Sequence, residues 1–196
     1  KGNETELNMS GKMNGAEDAI MLAPEIVANG ALVSANLLNN EIGIEQAHNL
    51  ATILKEHATL KSLCGNKGDE TELDMSGKEM GVEGAIMLAP EIVANGAMVT
   101  VNVMGNKIGK EQLSKLQEMM QAHPTLVSLC GIADDATEAN LSGLGMDADD
   151  AVVLADELPA KGALTKVKLA DNGIKFSANL FDQLAMCWAT RESVLE

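Results

Sequence analysis

The chain has 196 residues, with 14 basic against 29 acidic side chains, a formal charge of -15 and a pI near 4.5. At 46% hydrophobic it is too apolar to stay disordered, and with Phe176, Phe181 and Trp188 as its only rings and 12 Met, its core must be aliphatic. No run approaches the roughly 18 apolar residues of a membrane span, and no basic stripe is present to meet nucleic acid. Three cysteines make no disulfide framework, so the thiols read as reduced, in an intracellular and cytoplasmic setting. No signal peptide is visible, but Lys1 is not Met, so an upstream piece, and with it an organelle address, stays open.

Self-similarity organises the whole sequence. KGNETELNMSGK (1–12) returns as KGDETELDMSGK (67–78), and AIMLAPEIVANGA occurs at 19–31 and again at 85–97. The shift is 66, with about 40 of the 66 aligned positions identical. A diverged third copy starts near Ala133: TEANLSG (137–143) matches TELNMSG (5–11), and AVVLADELPAKGAL (151–164) matches AIMLAPEIVANGAL (19–32). The blocks are 1–66, 67–132 and 133–196, and a fixed period of this kind means one stacked array over 1–196.

A finer period lies inside each block. The frame L-x-x-A-x-L-x-x-N-x-I fits Leu32, Ala35, Leu37, Asn40 and Ile42. It returns at Met98, Val101, Val103, Asn106 and Ile108, then at Leu164, Val167, Leu169, Asn172 and Ile174. Its fourth and sixth positions alternate as in a short half-buried strand. The Asn at the ninth position suits a chain turning out of the strand, because its amide can bond local backbone groups. Helical stripes follow. In 44–57 the stripe is Ala47, Leu50, Ala51 and Leu54; in 147–160 it is Ala151, Leu154, Ala155 and Leu158. Strand, turn and helix repeat every 28 residues, with Leu7, Ala35 and Leu63 equivalent, then Leu73, Val101 and Leu129, then Ala139 and Val167.

These motifs resemble leucine-rich repeats of the ribonuclease-inhibitor-like type, and the resemblance covers almost the whole chain. It implies an α/β leucine-rich repeat solenoid, with a curved parallel sheet on the concave face and helices on the convex face.

Two departures stand out. The step from Leu63 to Leu73, and from Leu129 to Ala139, is 10 residues rather than 28. Parallel crossovers normally need a dozen or more residues, which favours a hairpin; a continuing solenoid favours a tight parallel return, and the balance tips slightly that way. Pro24 and Pro90 fall inside helical segments, where a proline costs about 3 kcal/mol. A kink or restart on the outer side is expected there.

The ends differ. Leu180, Leu184 and Trp188 are helix-spaced, so 177–195 reads as a C-terminal helical cap sealing the array. The N-terminus has no such cap, which points to further repeats or a subunit at that end.

On the concave face, the fifth strand positions are Asn8, Asn36, Cys64, Asp74, Asn102, Cys130, Asn140 and Lys168. The third positions are Glu6, Ser34, Ser62, Glu72, Thr100, Ser128, Glu138 and Lys166, and Leu38 and Met104 lie at the rim as apolar candidates. The bland account is a solvated hydrogen-bonding ladder with partial burial at the rim. The functional account is a surface that docks a protein, with Asn8, Asn36, Leu38, Cys64, Asp74, Asn102, Met104, Cys130, Asn140, Lys166 and Lys168 as its binding residues. It lacks the Trp, Tyr and Arg anchors of a strong hot spot.

Most acidic residues sit at helix starts and outer faces, among them Glu17, Asp18, Glu45, Glu83, Glu111, Asp147, Asp149 and Asp150. DADD (147–150) lacks the alternating ligands and turn Gly of a calcium loop. His57 and His123 are repeat equivalents at helix C-termini, where a cation is favoured. Nothing in the spacing sets a base beside Cys64 or Cys130, and on a continuous sheet the two would lie three strands apart, about 14 Å, beyond disulfide reach. Neither a zinc pattern nor a P-loop is present. The sequence therefore predicts no enzyme, no metal and no cofactor. It predicts a protein-interaction module, with a structural subunit of a larger assembly, or an inhibitor or regulator of an enzyme, as alternatives.

Overall fold

In a computed structural model, residues 3–174 and the backbone of Val194–Leu195 are described. Short strands alternate with helices. In chain order they are β1 (Glu6–Asn8), α1 (Ala16–Ala28), β2 (Ser34–Asn36), α2 (Ile44–Glu56), β3 (Glu72–Asp74), α3 (Gly81–Ala94), β4 (Thr100–Asn102), α4 (Lys110–Ala122), β5 (Glu138–Asn140), α5 (Ala148–Glu157), a 3-10 turn (Leu158–Ala160), β6 (Lys166–Lys168) and β7 (Val194–Leu195). The protein is mixed α/β, and its paired strands are parallel.

The pairing register carries the period found in the sequence. Leu7 sits beside Ala35, Leu73 beside Val101, Ala139 beside Val167, and Val167 beside Leu195, each pair 28 residues apart. Ala35, Val101 and Val167 are fully buried, while their flanks Asn36 and Asn102 are only half-buried. That alternation is what a pleated strand with one covered face produces.

The strands do not form one continuous ladder. They pair in three groups: β1 with β2, β3 with β4, and β5 with β6 and β7. Isolated parallel bridges add Ser62 beside Ser34 and Ser128 beside Thr100. The chain packs as two units, one of Lys1–Glu70 with Glu79–Ala97 and one of Thr71–Lys78 with Met98–Glu196.

In the first unit, α2 lies between its neighbours and packs on α1 and on α3. Its stripe of Ala47, Leu50, Ala51 and Leu54 is buried, as the spacing predicted. In the second unit α4 packs on α5, and Ala151, Leu154, Ala155 and Leu158 are buried. At about 25 cal/mol per Å2, a fully covered Leu contributes about 2 kcal/mol. The acidic residues expected at helix starts are there: Glu17 and Asp18 in α1, Glu45 in α2, Glu83 in α3, Glu111 in α4, and Asp149 and Asp150 in α5. Asp147 also caps α5, accepting the N–H groups of Asp149 and Asp150.

Several expectations need correction. Neither α1 nor α3 restarts at its proline; each runs through it as one helix, with Pro24 exposed on the outer side as expected but Pro90 buried. The 177–195 cap lies outside the described residues, apart from Val194–Leu195, which form a strand rather than a helix. At the first 10-residue link neither the parallel return nor the hairpin forms. One edge of Ser62–Cys64 bonds to β2, through Ala35 N–H to Ser62 O at 2.8 Å and Leu37 N–H to Leu63 O at 2.9 Å. The other edge is filled by a carboxylate from α3, and β3 finds its partner in β4.

Candidate functional site

The side chains at the fifth strand positions serve the chain itself. Asn8 Oδ1 accepts the Ser10 N–H at 3.1 Å, Asn36 the Leu38 N–H at 3.2 Å, and Asp74 the Ser76 N–H at 3.0 Å. Asn102 does the same with Met104 at 3.1 Å and Asn140 with Ser142 at 3.2 Å. Each is an Asx turn that carries the backbone out of its strand. Asn8, Asp74 and Asn140 remain exposed; Asn36, Asn102, Lys166 and Lys168 are half-buried.

Cys64, Cys130, Leu38 and Met104 do not belong on an open face. All four are buried, Met104 completely. The Cys130 Sγ lies 3.6 Å from the Met104 Sδ, and Cys64 Sγ lies 3.9 Å from the Gly84 carbonyl oxygen. Small soft side chains fill the layer behind the strand instead of facing a partner. Both cysteines are free thiols. Burial pushes the Cys130 thiol well up, and the nearby Glu157 carboxylate adds to that. A thiolate is the reactive form, which disfavours reaction at Cys130, and both thiols are covered, so both should be inert. In native buffer, Cys64 and Cys130 are expected to resist a thiol-labelling disulfide reagent and to react at once in denaturant, followed by peptide mass spectrometry.

Sequence reasoning missed the most elaborate polar arrangement in the fold. Glu91 of α3 is buried, and its Oε1 accepts the N–H groups of Leu63 (2.7 Å) and Cys64 (3.0 Å). Its Oε2 accepts from Ser62 Oγ (2.8 Å) and Asn66 Nδ2 (2.9 Å). Glu157 repeats this one block later, accepting from Leu129 N–H and Ser128 Oγ, each at 2.6 Å. Burial pushes both carboxyl groups above the usual range, and their hydrogen bonds offset only part of that. The available signal was the recurrence of Ser-Leu-Cys at 62–64 and 128–130, with a Glu 28 residues beyond each Leu.

Lys161, also missed, is almost wholly buried, with Nζ 2.9 Å from the Val127 carbonyl oxygen and 2.8 Å from Asp134 Oδ1. Asp150 is buried too. Its Oδ2 accepts the Asp147 and Gly105 N–H groups, each at 3.1 Å, while Oδ1 has no partner among the described residues. Burial pushes its carboxyl group upward. Partial burial raises Glu70 as well, but the N–H groups of Lys67, Glu70, Gly68 and Asp69 outweigh it and leave this carboxyl below its usual range. Among the described residues, no group of three or more His, Cys, Asp or Glu side chains could hold a metal ion.

The two repeat-equivalent histidines stand at the C-terminal ends of α2 and α4, as expected. His57 Nδ1 accepts the Leu60 N–H, and His123 Nδ1 the Leu126 N–H, each at 3.0 Å. Each ring ties the loop after its helix to the helix end.

On the first unit, a shallow groove of about 670 Å3 runs over the strand ends, lined by Glu6, Asn8, Ser34, Asn36 and Lys67 among others. At the third positions Glu6, Glu72 and Glu138 are exposed, whereas Ser62, Thr100 and Ser128 are buried. Among the described residues, no helix is long and apolar enough to cross a membrane.

Together these features define a mixed α/β repeat protein with polar strand ends. The chain matches no protein-family model and no curated protein.

Proposed function

We propose that this chain is a non-enzymatic protein-interaction module of the ribonuclease-inhibitor-like leucine-rich repeat type, binding a protein partner across its strand face. Strand–helix units in a 28-residue parallel register support the repeat assignment. The single observation that carries the binding role is the solvent-facing strand groove of the first unit, where Glu6, Asn8, Ser34 and Asn36 stand side by side on β1 and β2. The Asx bonds fix the Asn side chains, so specificity falls to the exposed carboxylate at the third position, Glu6. Its charge selects a partner with a complementary basic patch.

The test is capture of a co-purifying protein at physiological salt. Glu6→Lys leaves the neighbouring Asx turn intact. It is expected to weaken that capture by about tenfold, the order of one lost interfacial charge pair. Unchanged capture by this variant would reject the strand groove as the binding surface.

A further inference from the structure

One 13-residue sequence, AIMLAPEIVANGA, occurs twice within the first unit, in α1 and in α3, with opposite surroundings. In α3, Ile86 is 5% exposed and Met87 1%, and Leu88, Pro90 and Glu91 are buried as well. This helix packs on α2, and Glu91 receives the donors of the Ser62–Cys64 edge. In α1 the equivalent Ile20 is 53% exposed and Met21 65%, and Pro24 and Glu25 are also exposed. Val27 and Val93 face water alike, so the difference is confined to the flank that α3 turns to its neighbours. A groove of about 450 Å3, lined by Leu7, Leu22, Glu25, Ile26 and Leu32, meets this flank at Glu25. An apolar helix flank left in water beside a carboxylate is a surface with a missing complement.

We infer that this flank of α1 is a docking site for one further strand–helix unit of the same repeat, with Glu25 accepting the backbone N–H groups of that unit's Ser-Leu-Cys edge. The complement is on view twice. Residues 44–66 present α2 and the Ser62–Cys64 edge to α3, and Ser128–Cys130 meets Glu157 in the second unit. Glu25, Glu91 and Glu157 occupy the same repeat position, and two of the three are seated. A second intact copy of this chain does not fit, because its two edges already hold Glu91 and Glu157. The occupant is an unpaired unit with an apolar helix, a hydroxyl side chain and two adjacent free N–H groups. This surface shares only Leu7 with the lining of the strand groove.

The test supplies that unit covalently. A copy of residues 1–66 is joined in phase ahead of Lys1, so that the added Asn66 meets Lys1 as Asn66 meets Lys67. The added copy carries Met21→Leu, so only the original Met21 reports. Oxidation by dilute peroxide is read by peptide mass spectrometry, with Met87 of the same digest as the buried reference. In the extended chain Met21 is expected to react about tenfold more slowly than in the original chain, approaching Met87. Glu25→Ala is expected to be silent in the original chain and to lower Tm in the extended one. If Met21 oxidises equally fast in both chains, whether or not the added block orders elsewhere, the inference is overturned. Protection of Met21 with Glu25→Ala still silent would overturn the role given to Glu25.

Discussion

Replacing Glu91 by alanine is expected to lower the stability of the first unit by about 3–5 kcal/mol, among the largest effects a single truncation can have here. The variant removes the shared acceptor of four donors at once, the Leu63 and Cys64 N–H groups, Ser62 Oγ and Asn66 Nδ2, although the Cys64 N–H keeps Ser62 Oγ at 3.0 Å. A buried donor left bare costs about 1–3 kcal/mol, and the sum falls short of four such terms because water enters the space the side chain leaves. Glu157→Ala should act in the same way on the second unit through Ser128 and Leu129. Urea unfolding, with amide exchange at Leu63 as the local reporter, measures the loss. A drop below about 1 kcal/mol would mean that the edge is satisfied by something other than the carboxylate.

The same site gives a pH signature. Burial raises the folded-state pKa of Glu91 above its unfolded value. The folded state therefore binds the proton more tightly, and the stability gained this way is complete below the unfolded pKa, about 4.3. It is lost as pH rises through the raised folded value. Measured against Glu91→Gln, which cannot titrate, the parent chain should lose relative stability over that interval and then level off. A parent that gains relative stability over it would reverse the assignment.

Asn106→Ala is the second large effect, expected at about 2–4 kcal/mol. Asn106 is fully buried. Its Nδ2 donates to the Met75 carbonyl at 2.7 Å and the Val103 carbonyl at 2.8 Å, while Oδ1 accepts the Lys78 N–H at 2.9 Å. One amide thus joins the turn after β4 to the turn after β3. Asn40 and Asn172 make the same bonds to Met9 and Leu141, but both are half-buried, so water replaces part of what their truncation removes. The expected order of loss in urea unfolding is Asn106 first, with Asn40 and Asn172 below it. Asn106→Asp should be worse than alanine, because it swaps two donors for a charge facing carbonyl oxygens.

Much of this order was legible in the letters of the chain. The 28-residue period placed β1 to β6, because each register position repeats an apolar residue that must face the core, but β7 falls where a helix was expected. Helix stripes such as Ala47, Leu50, Ala51 and Leu54 were equally plain. The ninth-position Asn was read as a local turn-former, and it is one, through Leu37 and Leu38. Its bond to Met9, 31 residues back, depends on a neighbour that only folding supplies.

The candidate face was harder to read for a similar reason. Alternation says that Cys64 and Cys130 leave the strand on the side opposite Leu63 and Leu129, but the chain bends there, and the side chains turn into the core. Leu38 and Met104 follow their strands directly and close the layer rather than its rim. Glu91 and Glu157 were hidden by their chemistry: a carboxylate in a helix reads as surface until its donors are known.

The seated glutamates also bear on how this protein behaves when crowded. An uncovered strand edge is an invitation to another molecule's strand, and chains assembled from short parallel strands risk joining end to end. At Leu63 and Leu129 the inward-turned carboxylate leaves no donor for a stranger to use. It ends each run of pairing with one side chain, where other folds use a whole extra element, and so acts as a built-in guard against fibre growth.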